Sequence, residues 1–113
     1  MEKRKCEIGD MQAYLVRRKL DNAVVAVVCA IVHDGVVRMK NLVVAPKHRR
    51  QGHALATVQL LWHMAEKQYP GSCFCVFAIK GGYGERVYRD KAGMLPVTRQ
   101  YEWSRKLYST YIA

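Results

Sequence analysis

The chain has 113 residues, 50% of them hydrophobic, and sets 19 Lys and Arg against 9 Asp and Glu for a formal charge of +10. That length gives room for a single domain, residues 1–113, built on one sheet covered by a few helices. The longest apolar run, Ala23 to Val32, has ten residues, against the ~20 that a membrane-spanning helix needs. No apolar leader precedes a small-residue cleavage site, so the pattern predicts a cytoplasmic protein with no membrane contact. The positive charge predicts attraction to polyanions: nucleic acid, phosphorylated cofactors or acidic protein faces. The basic residues are not interleaved with stacking aromatics, as RNA- and DNA-reading surfaces require. Nucleic acid is therefore a weak candidate, though the charge alone does not exclude it.

The first nine residues are charged, with a short strand suggested around Cys6–Ile8. Residues 11–20 (MQAYLVRRKL) fit either a short helix capped by Asp10 or a strand. Asp21-Asn22 marks a turn, and Ala23–Val32 (AVVAVVCAIV) reads as a strand buried on both faces. His33-Asp34-Gly35 contains the Asp-Gly pair favoured in two-residue hairpin turns and leads directly into VVRMKNLVVA. Pro46 ends that strand. Residues 54–67 have helical spacing, with Leu55, Val58, Leu61, Trp62 and Ala65 on one face and Gln59, His63 and Glu66 on the other. CFCVFAI (73–79) is a further buried strand. A glycine loop then precedes a short helix, Glu85–Ala92, which Gly93 should stop. Leu95-Pro96-Val97 reads as irregular, Gln100–Leu107 as a last strand, and the Tyr-rich tail (Tyr101, Tyr108, Tyr111) as a sticky interface or, more simply, as frayed. The element order implies an α/β fold with a mixed sheet.

Four cysteines (Cys6, Cys29, Cys73, Cys75) stand in this pattern. Cys73 and Cys75 would share one face of a strand, where a bridge between them would be strained. Reduced, mostly buried thiols are expected, and no metal-ligand spacing appears.

The segment NLVVAPKHRRQGHALATVQLL carries the chemistry. A glycine-containing loop feeding a helix is an anion site, because the first N–H groups of a helix have no intrahelical partner and lie at its positive end. Gly52 and Ala54 leave room for a phosphate to approach the backbone, and Arg49 and Arg50 stand at the rim as charge partners. The amides of roughly residues 50–54 can cradle a diphosphate. A solvated basic loop is the plainer alternative reading of the same residues.

Arg49-x-x-Gly52-x-Ala54 resembles the pyrophosphate signature of the GNAT family of N-acetyltransferases. Val44 and Pro46 before it are also similar to the family. So is Val87-Tyr88-Arg89-Asp90-Lys91-Ala92-Gly93-Met94, in which Met94 replaces the usual Phe. The resemblance spans residues 23–107. It implies a mostly antiparallel mixed sheet with a V-shaped splay between two central strands, flanking helices, and a reduced N-terminal helical segment. It implies acetyl-CoA as cofactor, with pantetheine pairing to the backbone near Leu42, Val43 and Val44. The pyrophosphate would lie on Arg49, Arg50, Gln51, Gly52, His53 and Ala54. Tyr88 matches the tyrosine that gives a proton to the departing CoA thiolate, a role a phenol can fill. No metal is implied.

Two departures stand out. The strand Val37-Arg38-Met39-Lys40-Asn41 lacks the carboxylate base that many members carry. Water at Asn41, His33, Asp34 or Glu85 is left to take the amine proton. Where members often have an Asn seven residues before the tyrosine, this chain has Gly81. The shortened N-terminal region implies an open acceptor side, suited to an amine on a protein or other macromolecule, such as one with an acidic face, or to completion by a homodimer partner. The alternatives are a catalytically weak CoA-binding interaction or regulatory protein and a small basic nucleic-acid-binding protein.

Overall fold

A computed structural model describes residues 2–4, 11–79, 81–101 and 107–112, with side chains over 11–78 and 81–96. Seven strands form one sheet: β1 (Glu2–Arg4), β2 (Met11–Arg17), β3 (Val24–His33), β4 (Val36–Val44), β5 (Cys73–Ile79), β6 (Leu95–Tyr101) and β7 (Leu107–Ile112), in the spatial order β1-β2-β3-β4-β5-β7-β6. Only the β4–β5 pair is parallel. The connection between these two strands is the crossover helix α1 (His53–Gln68), as a parallel pair requires. The mixed, mostly antiparallel α/β sheet expected from the sequence is therefore present.

The β3–β4 turn follows its sequence signal. Asp34 and Gly35 both have positive φ, 47° and 75°, the conformation of a type I′ hairpin turn. Residues 11–20 resolve as strand: Tyr14 and Val16 are buried while their neighbours are half-exposed, a period of two. Among the described residues, no helix precedes β4. The short strand suggested at Cys6–Ile8 lies outside the described residues.

One face of the sheet carries the core. Val25, Val28, Val37, Met39, Phe74, Val76 and Ala78 pack with Val58, Leu61 and Ala65 of α1. Trp62 is partly buried and stacks on Phe74, with ring centroids 6.3 Å apart. Burying Leu61 completely contributes about 1.5–3 kcal/mol.

Three expectations are corrected. Leu95-Pro96-Val97 is not irregular but opens β6, and the tail with Tyr108 and Tyr111 is β7, inserted between β5 and β6. Pro96 is tolerated because β6 is the sheet's edge, and the register shifts between Pro96 and Thr98. Cys73 is exposed rather than buried, Cys29 half-buried and Cys75 buried, all three as free thiols. Cys6 lies outside the described residues. No helix among the described residues is long and apolar enough to cross a membrane.

Candidate active site

The site starts at Asn41. β3 and β4 pair Val27 with Val43 but Cys29 with Lys40, so β4 has one residue more than β3 over this stretch. That is a β-bulge, and Asn41 adopts φ 56° to make it. Asparagine is among the few non-glycine residues that enter this region readily. The bulge changes which residues face the core. Before it Val37 and Met39 are buried; after it Leu42 and Val44 pack against the core and Val43 is 51% exposed. It also bends β4 away from β5, whose pairing ends at Met39 and Val76. Among the described residues, no strand pairs with Leu42–Val44 on that side.

A cleft of 530 Å³ opens at the splay. It gathers Leu42, Val43, Val44, Arg49, Arg50, Gly52, His53, Ala54 and Tyr88, nearly all the residues that the sequence singles out. Gln51 is the exception: it does not line the cleft, and its side-chain oxygen lies 3.1 Å from His53 Nε2. Arg49 Nε donates to the Val44 carbonyl at 3.2 Å, tying the loop to the end of β4. Arg50 has φ 61° and Gly52 φ 81°, two left-handed turns that swing the chain into α1. A Cβ on Gly52 would meet nothing within 4 Å, so backbone conformation rather than space accounts for glycine there. No side chain caps α1, and its first turn carries no acid. Its leading N–H groups therefore face the cleft with their positive end uncompensated.

The opposite wall is α2 (Tyr83–Glu85), which runs directly into a π-helical turn (Arg86–Lys91). The wider turn is closed by Ala92 N donating to Val87 O at 2.8 Å, a local geometry frequent at functional sites. Gly93, at φ 72°, ends it as expected. Tyr88 sits in this turn with its ring against Gly84, whose missing Cβ would stand 3.2 Å from the Tyr88 ring and 3.6 Å from its hydroxyl. Burial pushes the Tyr88 phenol up to about 12, so it keeps its proton at any physiological pH.

Tyr88 also borders a second cavity of 230 Å³ on the β5 side, with Arg38, Met39, Lys40, Asn41, Leu42, Val76 and Phe77. Tyr88 and Leu42 are common to both cavities.

Of the residues considered for taking a proton, Asn41 alone lines either cavity. His33 and Asp34 pair with each other at 3.1 Å in the exposed hairpin turn. That turn is about seven residues from Asn41, or some 23 Å along a strand. Glu85 accepts from Gly81 N at 3.3 Å and lies 3.6 Å from Arg89, so it ties the 81–89 loop together. The same bond occupies the Gly81 N–H.

Val87 of the Tyr88 motif also lines the main cleft, as do His48, Tyr83 and Gly84, which the sequence did not single out. His48 is buried, and its Nε2 has no hydrogen-bond partner. Burial first, then the cations Arg18 and Lys47, hold its imidazole below the ordinary histidine range. Gly84 carried a readable signal: a glycine one helical turn before Tyr88 leaves room for the ring.

Comparison with known proteins settles the family. The acetyltransferase (GNAT) family model matches residues 2–80. The chain belongs to the GNAT family of acyl-CoA-dependent N-acyltransferases. No curated protein matches it at the level of sequence. Among solved structures, it is similar to an acyl-CoA N-acyltransferase from Pseudomonas aeruginosa (TM-score 0.72, 18% identity, covering 93% of this chain and 69% of that one). It is also similar to spermidine N-acetyltransferase from Vibrio cholerae in complex with CoA and spermine (TM-score 0.78, 9% identity, covering 95% and 67%). At these identities the likeness is one of fold.

Proposed function

We propose that this GNAT chain holds acetyl-CoA in the splayed cleft and transfers the acetyl group to a small primary amine entering from the Arg38–Phe77 side. The observation that carries the reading is the continuous cleft from the uncapped N-terminus of α1, past the free edge at Leu42–Val44, to Tyr88. Its parts suit acetyl-CoA. Amides of residues 50–54, with Arg49, Arg50 and His53 beside them, suit the pyrophosphate. The unpaired edge of β4 suits the amide groups of pantetheine, which can add to it like a strand. One of the two edge carbonyls nearest the loop, that of Val44, already accepts from Arg49, so Leu42 and Val43 are left most of this pairing.

Acetyl-CoA supplies an activated thioester. The amine nitrogen forms the new C–N bond as the C–S bond breaks, an amine proton passes to water, and the sulfur leaves as thiolate. Tyr88 stands between the two cavities and donates to that sulfur. With its phenol near 12 and a thiol near 8.5, complete proton transfer is uphill, so Tyr88 acts chiefly as a hydrogen-bond donor whose proton is always in place. The 230 Å³ volume of the second cavity suits a small amine better than the macromolecular acceptor first considered. The Vibrio cholerae structure pairs CoA with a small amine, which supports the same reading.

A second reading, CoA binding without turnover, is favoured because no Asp or Glu stands among the described residues that line either cavity. Calorimetry and CoA release tell the two apart. Wild type should bind acetyl-CoA in the micromolar range. Gly52→Glu should weaken binding by about two orders of magnitude, and Gly52→Ala, which bears the same backbone strain without the carboxylate, should weaken it far less. No binding by wild type would end the acetyltransferase reading. Binding without CoA release on any amine would leave the second one.

A further inference from the structure

The second cavity is cationic, and its charge is placed rather than incidental. Arg38 and Lys40 alternate with the buried Val37 and Met39, so both lie on the face of β4 turned away from the core. They line one cavity with Asn41, Phe77 and Tyr88. The Arg38 guanidinium lies over the Phe77 ring, its carbon 3.8 Å from the ring centre, a cation–π contact that restrains where the fork sits. Its Nε is buried and has no hydrogen-bond partner. Among the described residues, no carboxylate pairs with it. Buried polar groups nearly always find a partner, and the planar arginine fork is a common partner of a carboxylate or phosphate.

Resting on the acetyl-transfer reading above, we infer that the acceptor is a small amine carrying its own anionic group, a carboxylate or phosphate, which Arg38 clamps while the amine faces Tyr88. A polyamine is disfavoured, because each further ammonium would have to approach Arg38 and Lys40. The same charges address the missing base. Cations near an amine favour its neutral form, so the acceptor needs less help to lose its proton before attack, and water at Asn41 suffices to receive it.

The test is CoA release by the whole chain with acetyl-CoA and paired acceptors that differ only in the anion. The pairs are an amino acid and its decarboxylated amine, and phosphoethanolamine and ethanolamine, with spermidine as the cationic control. The anionic member of at least one pair should have the higher kcat/KM by about tenfold or more, and which pair responds tells carboxylate from phosphate. Arg38→Gln should remove that preference, chiefly through KM, while acetyl-CoA binding stays within about twofold; Arg38→Lys should restore part of it. Unchanged cofactor binding shows that the variant is folded. Spermidine as the best acceptor, turnover of neutral or cationic amines with none of any anionic amine, or acetylation confined to lysines of an acidic protein would each overturn the inference. Failure to bind acetyl-CoA, or binding without CoA release on any amine, would instead overturn the reading beneath it.

Discussion

From Val36 to Met39, β4 is hydrogen-bonded to β3 on one side and to β5 on the other, with Val37 and Met39 almost wholly buried. From Leu42 to Val44 the same strand keeps β3 alone, and Val43 is half exposed. Hydrophobicity does not account for the change, since LVV is at least as apolar as VVRM. One inserted residue, Asn41, does: it rotates the strand and turns it from its parallel neighbour. A strand that is core at one end becomes a free edge at the other. Unpaired edges tend to aggregate, and this one lies inside a cleft between α1 and α2.

The comparison breaks most completely if the extra residue is removed. Deleting Asn41 should put Leu42 and Val44 on the wrong face, because a one-residue slip reverses every side chain beyond it. The expected result is a loss of about 3 kcal/mol or more from exposing those side chains, together with loss of acetyl-CoA binding. Asn41→Gly, which adopts the same φ without strain, should keep both stability and binding. A deletion variant that binds acetyl-CoA like the parent would show that the bulge does not make the cleft.

Next in size is the group where the two ends of the cleft meet. Tyr88→Phe keeps the ring against Gly84 and removes only the hydroxyl. We expect kcat to fall by about 100-fold, with the acetyl-CoA dissociation constant changed less than twofold. An unchanged kcat would take Tyr88 out of the chemistry and leave it as a packing residue. The same hydroxyl has a signature in stability. Its folded pKa of about 12 lies above the unfolded value near 10, so the folded state binds the proton more tightly. Stability is then complete below pH 10 and is lost as the pH rises towards 12, by an amount on the order of 3 kcal/mol for two pKa units. Tyr14, whose phenol is also raised by burial first and by Tyr69 second, contributes in the same sense. Urea titrations at pH 8 and pH 11 should therefore show a smaller loss in Tyr88→Phe than in wild type, and equal losses would mean the phenol is not desolvated.

What the sequence reveals and what it hides divide along the same line. The Asp34-Gly35 turn, the α1 stripe and the Arg49-to-Ala54 loop are local signals, written within a few residues, and each appears where the pattern puts it. The bulge at Asn41 is not local: it exists only relative to β3, and Lys-Asn-Leu carries no mark of it. The π-turn around Tyr88 is hidden for a like reason, because an i→i+5 closure leaves no distinct periodicity over six residues. His48 reads as one more basic loop residue until the fold buries it. Pro96 misleads in the opposite direction, since a proline that breaks an interior strand is harmless on an edge. Gln51 falls inside the motif but not the cleft, because the left-handed turns at Arg50 and Gly52 leave its side chain bonded to His53 rather than lining the cavity.

The smallest effect sharpens the contrast between Arg50 and Gly52. Both hold positive φ, yet only one is glycine. A side chain in this region costs about 1 kcal/mol, so Arg50→Gly should raise the unfolding free energy by roughly that amount, offset in part by the added freedom of the unfolded chain. Gly52→Ala should lower it, as its backbone is the same and its side chain is added rather than removed. If Arg50 is retained for its charge, the stabilised variant should bind acetyl-CoA several-fold more weakly at low salt, with the gap closing as ionic strength rises and exposed charges are screened. Equal affinity at all salt concentrations would leave the strain at Arg50 without a functional return, and would assign the charge of this loop to Arg49 and the helix alone.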